Sequence, residues 1–345
     1  MHAPKIPLFL DCDPGIDDAI ALGYVLCRPD VDLVGVAASG GNVPTAQVTA
    51  NALGWLALAG DTSTPVHPGS DLPLAHLSGE RTGDPVYADD THGPTGAGYA
   101  QLPEHTAPSP VSAAQAWVDA ARAHPGELIG VVIGPATNLA LALDIEPELP
   151  RLVRRLFIMG GAFNYRGNTH PTTEWNVTFD PESTARVIRE FGTKAPVLPV
   201  IAPIEATEAV VMTPQRLNMV LRYEHGAGWH AWLEQLAQAL KFYFEFHQWD
   251  GHGYLAHIHD PFVVAAALAW AHSAPAASAP APIPWSRTAT TAADVELTGT
   301  LTRGETVADW LGRWDRPDNL EIIRSIDSES FIAHLLTTLG KGPKA

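Results

Sequence analysis

Ile6-Pro7-Leu8-Phe9-Leu10-Asp11-Cys12-Asp13-Pro14-Gly15-Ile16-Asp17-Asp18-Ala19-Ile20-Ala21 joins an apolar run to a proline-glycine turn and then to a second apolar run. Ile6 to Asp11 fits a buried parallel strand, because such strands are covered on both faces and read as continuous apolar stretches. Pro14-Gly15 is a turn signal, and a helix is predicted from Ala19 to about Cys27, opened by Asp17 and Asp18. Strand, tight turn and helix in that order begin a parallel α/β unit, and such sheets bind ligands in the crevice at the carboxyl ends of their strands.

That crevice would hold an unusual concentration of charge. Asp11, Asp13, Asp17 and Asp18 place four carboxylates within eight residues. Strand alternation puts Asp11 and Asp13 on one side, and the turn brings Asp17 or Asp18 back toward them. Carboxylates this close disfavour one another's ionisation, and a hard divalent cation removes that penalty. Oxygen-only donors suit Ca²⁺ or Mg²⁺ rather than zinc. Helix capping would account for Asp17 or Asp18, but it leaves Asp13 without a reason beside a buried strand. Asp11 reads equally as a structural residue or as one standing behind the ligands.

Outward from this unit, apolar strands are predicted at Val31–Ala38, Leu128–Ile133, Leu156–Met159 and Pro196–Ile201. Helices are predicted at Gln47–Ala59, Ala136–Leu143, Ser183–Phe191, Gly228–Trp249, Pro261–Ala271 and Phe331–Leu339. Val295–Thr300 and Asn319–Ile323 alternate as further strands. The alternation of the two kinds of element indicates an α/β chain with an open, mostly parallel central sheet flanked by helices. No boundary or internal repeat stands out, so residues 1–345 are read as one domain, with a Pro/Ala-rich loop at residues 273–284 inside it.

Composition narrows the partners. The formal net charge is −17, and the surface it implies repels nucleic acid and anionic membranes. No run of about 18 uncharged apolar residues exists, which argues against a membrane span. The N-terminal apolar run is too short and ends too acidic for a signal peptide. Two cysteines, Cys12 and Cys27, make no disulfide framework and fit a reducing compartment, so a cytoplasmic enzyme acting on a small molecule is expected.

The string Asp11-Cys12-Asp13-Pro14-Gly15-Ile16-Asp17-Asp18-Ala19-Ile20-Ala21 resembles the signature of the inosine-uridine-preferring nucleoside hydrolases. Further segments match in family order from about residue 6 to residue 339: Gly41-Asn42, Gly134-Pro135-Ala136-Thr137-Asn138, Met159-Gly160-Gly161, Asn168 through Glu174-Trp175-Asn176, His259-Asp260-Pro261 and Leu301-Thr302-Arg303-Gly304. Asp90-Thr91-His92-Gly93 and the aromatic helix with Tyr243 and His247 are similar to its nucleobase-pocket elements.

The resemblance implies the nucleoside hydrolase fold with a Rossmann-like core, and hydrolysis of the N-glycosidic bond of purine or pyrimidine ribonucleosides. It implies Ca²⁺ held by Asp13, Asp18, Asp260 and the Thr137 carbonyl, and a calcium-bound water from which Asp13 takes a proton as general base. Asp17 would bind the 2′-hydroxyl, Asn176 the 3′-hydroxyl, and Asn168 and Glu174 the 5′-hydroxyl, while Met159 and Asn42 would lie against the ribose. His92, Tyr243 and His247 would face the base, and His259 is the candidate proton donor to it. A homodimer or homotetramer is implied as well. Read singly, Thr137 is an ordinary helix N-terminus, Asp260 a helix cap, the 168–176 stretch a solvated polar loop, and Tyr243 and His247 core residues. Ile204-Glu205-Ala206-Thr207 departs from the family, which usually shows Asp or Asn there, as does the composition of the 273–284 loop.

Two other functions share part of this pattern. A haloacid-dehalogenase-like phosphatase also carries Asp-x-Asp after a strand, but it wants Thr or Val soon after the second Asp and a downstream lysine, whereas Pro14-Gly15-Ile16 follows here. A non-catalytic nucleoside- or ribose-binding protein would keep the site, yet would have no need of a base beside the water.

Overall fold

The computed structural model describes residues 4–103, 107–274 and 281–343. The chain runs β1 (Ile6–Cys12), α1 (Ile16–Leu26), β2 (Val31–Ala38), α2 (Thr45–Leu58), β3 (Val66–Pro68), α3 (Leu74–Leu77), α4 (Asp89–His92) and α5 (Ala113–Ala123). It continues through β4 (Ile129–Val132), α6 (Thr137–Ile145), α7 (Leu149–Leu152), β5 (Arg155–Met159), α8 (Trp175–Phe179), α9 (Pro181–Lys194), β6 (Val200–Ala202), α10 (Ile204–Thr207), β7 (Val211–Met212) and α11 (Pro214–Leu221). The last elements are α12 (Ala227–Trp249), β8 (Ala256–His257), α13 (Asp260–Ser273), β9 (Ser286–Thr291), β10 (Ala293–Val295), β11 (Thr306–Ala308), β12 (Leu320–Ile326) and α14 (Ser328–Lys341).

Eight strands form the central sheet in the order β3-β2-β1-β4-β5-β6-β12-β9. All neighbours pair in parallel except β12 and β9. The apolar runs explain this placement, since β1, β4 and β5 are buried along their whole length and need helices on both faces. Leu8, Leu10 and Cys12 join the core shared with α1, α12 and α13, while Phe9 joins the core on the other face, with Trp117 of α5 and Leu139 of α6. From β1 the chain winds outward through β2 to β3 and then returns to β4 on the opposite side. The crevice between the carboxyl ends of β1 and β4 is therefore the switch point of the sheet.

Local structure departs from the sequence expectations in a few places. Helix α5 was not anticipated, although Ser112 caps it by accepting the Gln115 N–H at 3.3 Å. The strand expected at Pro196–Ile201 begins only at Val200, since Pro199 has no N–H to give to a ladder. The strand expected at Val295–Thr300 ends at Val295, because the Glu296 carboxylate accepts the amides of Thr298 and Gly299 and closes a turn. Of the 273–284 loop, residues 275–280 lie outside the described residues; Ser273 ends α13. Among the described residues no helix is long and apolar enough to cross a membrane.

Candidate active site

The turn after β1 is held by the side chains it carries. Asp18, on the first turn of α1, accepts the Gly15 N–H at 3.0 Å and the Asp13 N–H at 3.1 Å, so one carboxylate pins both ends of the Pro14-Gly15 bend. Gly15 is required by space, because a Cβ there would lie 2.6 Å from Asn42 Nδ2 and 2.8 Å from His92 Nδ1. Asn42 follows β2 and closes the far side. Its backbone N–H donates to Asp13 Oδ2 at 2.8 Å, and its side-chain amide donates to the Asp13 carbonyl at 3.0 Å. Gly134, after β4, leaves room for the other Asp13 oxygen, which a Cβ would meet at 2.6 Å.

From the far end of the sequence, α13 brings Asp260 to the same place. His259 is the N-cap residue, without a side-chain cap bond, and Asp260 is the first helical residue. Its carboxylate is thus not spent on capping. The His259 N–H donates to Asp17 Oδ2 at 3.1 Å and joins the two helix starts directly. Asp17, Asp18 and Asp260 each offer an oxygen within 4.8 Å of the others, and all three are buried.

Charge in this cluster is uncompensated by protein. Burial first, and then the Asp18 carboxylate, drives Asp13 well above the usual carboxylate range. Burial followed by Asp17 does the same to Asp260. Asp17 is pushed up to about 7 by burial and Asp18, and burial raises Asp18 to about 6. Their bonds come from backbone amides and Asn42, and among the described residues no lysine or arginine pairs with any of them. A compact set of hard oxygens with excess negative charge, at two helix N-termini, has the chemistry of a divalent-cation site. Asp11 lies apart. Burial raises it to about 6, and Ser39 Oγ (2.6 Å), Trp117 Nε1 (2.7 Å) and Asn138 Nδ2 (3.1 Å) all donate to it beneath the sheet end.

One cavity of about 420 Å³ opens over the cluster. Asp13, Asp17, Asp18, Asn42, His92, Met159, Asn168, Glu174, Asn176, Tyr243, His247, His259 and Asp260 all line it. Thr137 does not. It sits inside the first turn of α6, and its hydroxyl donates to Asp180 at 2.6 Å. Ile133, just past β4, lines the cavity instead, and its carbonyl accepts the Asn176 amide at 2.9 Å.

The polar loop after β5 closes one side. Glu174 caps α8, accepting the amides of Asn176 (2.8 Å) and Val177 (3.2 Å), and it also takes the Gly161 N–H at 2.9 Å. Its burial raises it to about 7. Arg166 on this loop is the only lysine or arginine lining the cavity among the described residues, and it pairs with Glu208 at 2.9 Å.

Another part of the wall carries histidines. His92, His247, His252, His257 and His259 all line the cavity, with the last four in ring contact from one to the next. Burial lowers His92 and His259 to about 3 and His247 to about 4, so these rings are neutral near pH 7. Their tautomers follow from their partners. His92 Nδ1 accepts the Ile16 N–H at 3.2 Å, which leaves its proton on Nε2. His247 Nδ1 donates to the Tyr243 carbonyl and His257 Nδ1 to the Glu208 carbonyl, which leaves each Nε2 bare. His259 Nδ1 meets Thr207 Oγ1 at 2.7 Å, and that hydroxyl in turn donates to the Pro203 carbonyl, so its Nε2 is bare as well.

Sequence reading missed Ile133, Arg166, Glu208, His252 and His257. The crowding of His247, His252, His257 and His259 was a usable signal, since four of the chain's fifteen histidines fall within thirteen residues.

The chain is similar to known proteins over nearly its whole length. Residues 8–333 match the family model described as inosine-uridine preferring nucleoside hydrolase. The chain is 32% identical to the pyrimidine-specific ribonucleoside hydrolase RihA of Enterobacter sp. (strain 638), over 97% of this chain and 98% of that protein. It is 33% identical to the probable uridine nucleosidase 2 of Arabidopsis thaliana, over 76% and 77% respectively. Its fold is similar to that of the plant nucleoside hydrolase PpNRh1, with a TM-score of 0.82, 27% identity, and 98% and 99% of the two chains covered.

Proposed function

The chain belongs to the inosine-uridine preferring nucleoside hydrolase family and is a nucleoside hydrolase, and from that premise we propose that it cleaves ribonucleosides with Asp13 as general base and Ca²⁺ as its metal. The observation that carries this reading is the meeting of Asp13, Asp17, Asp18 and Asp260, from both ends of the chain, in one cavity with the Asn168–Asn176 loop. Asp13, Asp18 and Asp260 would hold the cation, with the Ile133 carbonyl as the backbone donor in place of Thr137. Bound there, a hard divalent cation offsets the carboxylate repulsion and acidifies water in its shell.

The remaining roles belong to the chain's own residues. Asp17 accepts the ribose 2′-hydroxyl and Asn176 binds the 3′-hydroxyl. Glu174 and Asn168 take the 5′-hydroxyl, and Met159 packs on the sugar. Asp13 has one oxygen fixed by the Asn42 amide, and it removes a proton from water as the water attacks C1′. The N-glycosidic bond breaks through an oxocarbenium-like transition state, and the bond's electron pair leaves with the base. His92 is assigned to the departing base in preference to His259, as a hydrogen-bond donor to its growing negative charge, because its proton is on Nε2 while that of His259 points to Thr207; the base takes its proton from water. Two relatives above 30% identity are named for pyrimidine nucleosides, and pyrimidine ribonucleosides are therefore the first substrates to try.

The test is a reducing-sugar assay over uridine, cytidine, inosine, adenosine and guanosine, with and without chelator. Ribose release from at least one nucleoside, lost with chelator and restored by Ca²⁺, is expected. Calorimetric binding of nucleoside without ribose release would make the protein a binder, and phosphate release from a phosphomonoester without ribose release would make it a phosphatase.

A further inference from the structure

The Leu301–Asp309 segment has no part in the chemistry above, yet its Thr306 reaches the back of the ribose loop. Thr306 begins β11, is 1% exposed, and forms an isolated bridge with Phe163. Three successive amides of the turn after β5 end on side chains from three regions of sequence. Gly161 N–H donates to Glu174 at 2.9 Å, Ala162 N–H to the Thr306 hydroxyl at 2.8 Å, and Phe163 N–H to both Glu205 oxygens at 3.3 Å. Gly161 has φ of +83°, and a Cβ there would lie 3.0 Å from the Thr306 hydroxyl and methyl. Glycine and threonine thus fit against one another, and the two successive peptides that meet at the Gly161 Cα are each held by their N–H. On one side is Glu174, which lines the cavity; on the other is Thr306, which does not.

We infer that Thr306 is a positioning residue for the hydrolysis, setting the Glu174 carboxylate against the 5′-hydroxyl through the Gly161–Ala162 peptide. This rests on the role proposed above for Glu174. Thr306→Val keeps the shape and removes the acceptor, freeing the Ala162 amide to turn and carry Gly161 with it. Glu205 holds the next amide and should act the same way.

The experiment measures kcat and KM for uridine and 5′-deoxyuridine, and for inosine and 5′-deoxyinosine, with wild type, T306V, T306S and E205A. Wild type should prefer each nucleoside over its 5′-deoxy analogue. In T306V, kcat/KM on the nucleoside should fall roughly tenfold, mainly through KM, and on the 5′-deoxy analogue by no more than about twofold. T306S retains the hydroxyl and should restore the preference. If T306V does not fold, E205A must show the same selective loss. Equal losses on both members of a pair, in whichever of the two variants folds, would reduce Thr306 to scaffold and overturn the inference. Absence of ribose release by wild type from every nucleoside would instead sink the reading of the site, and the inference with it.

Discussion

At the scale of single residues, Asp11 and Asp13 are two positions apart and chemically identical, but their surroundings differ completely. Asp13 faces the cavity, whereas Asp11 takes three side-chain donors beneath the sheet. Asp13→Asn should therefore lose about 10²–10⁴ in kcat while the fold survives. Asp11→Asn should act on stability, by roughly 1–3 kcal/mol, because its amide cannot accept from all three donors. Steady-state kinetics beside urea unfolding separates the two; a stable, inactive D11N would reverse the assignment. His92 offers a second contrast. His92→Phe should cost about a hundredfold on uridine and far less on p-nitrophenyl riboside, whose stable leaving anion needs no hydrogen bond from the ring. An equal loss on both substrates would remove His92 from base departure. The sequence located all of these residues but could not rank them, since rank depends on which donors surround each group.

At the scale of elements, Asp180 ties three helices together. It accepts Ser183 N–H at the start of α9 (3.0 Å), Leu74 N–H at the start of α3 (3.0 Å) and the Thr137 hydroxyl of α6 (2.6 Å). Asp180→Ala strands two buried donors and a half-buried one, and should destabilise by about 2–4 kcal/mol, read as a lower denaturation midpoint with unchanged slope. A midpoint within error of wild type would mean that water replaces the carboxylate. Elements with strong apolar runs were legible in the sequence: β1, β2, α12 and α13 fall within a few residues of their expected bounds. Those fixed by one polar interaction were not. Nothing in the alternation of Val295–Thr300 shows that Glu296 will capture two amides and end the strand.

For the whole molecule, a net charge of −17 surrounds a buried carboxylate cluster, so a cation that binds only the folded chain stabilises it by mass action. Chelator should lower the melting temperature and Ca²⁺ raise it, and scanning calorimetry insensitive to both would count against a metal in the cluster. The buried histidines add a pH dependence. His247 falls to about 4 in the fold against about 6.5 unfolded, so below pH 6.5 the unfolded chain takes up its proton first. Stability linked to its neutral form is full above pH 6.5 and drains as pH falls toward 4, by up to about 3 kcal/mol, and His247→Gln should flatten urea-unfolding stability across that window. A slope identical to wild type would show that His247 takes up its proton alike in the folded and unfolded chain. Apolar runs and the spacing of the first four aspartates determined by sequence alone that this chain is an α/β fold with an acidic crevice, since burial and like-charge repulsion act on any arrangement of those residues. Only the tertiary structure decided that Asp260 and Ile133 line the crevice, that Asp11 and Thr137 turn away, and that Thr306 holds the turn after β5, because those contacts join residues tens to hundreds of positions apart through strand order and helix packing.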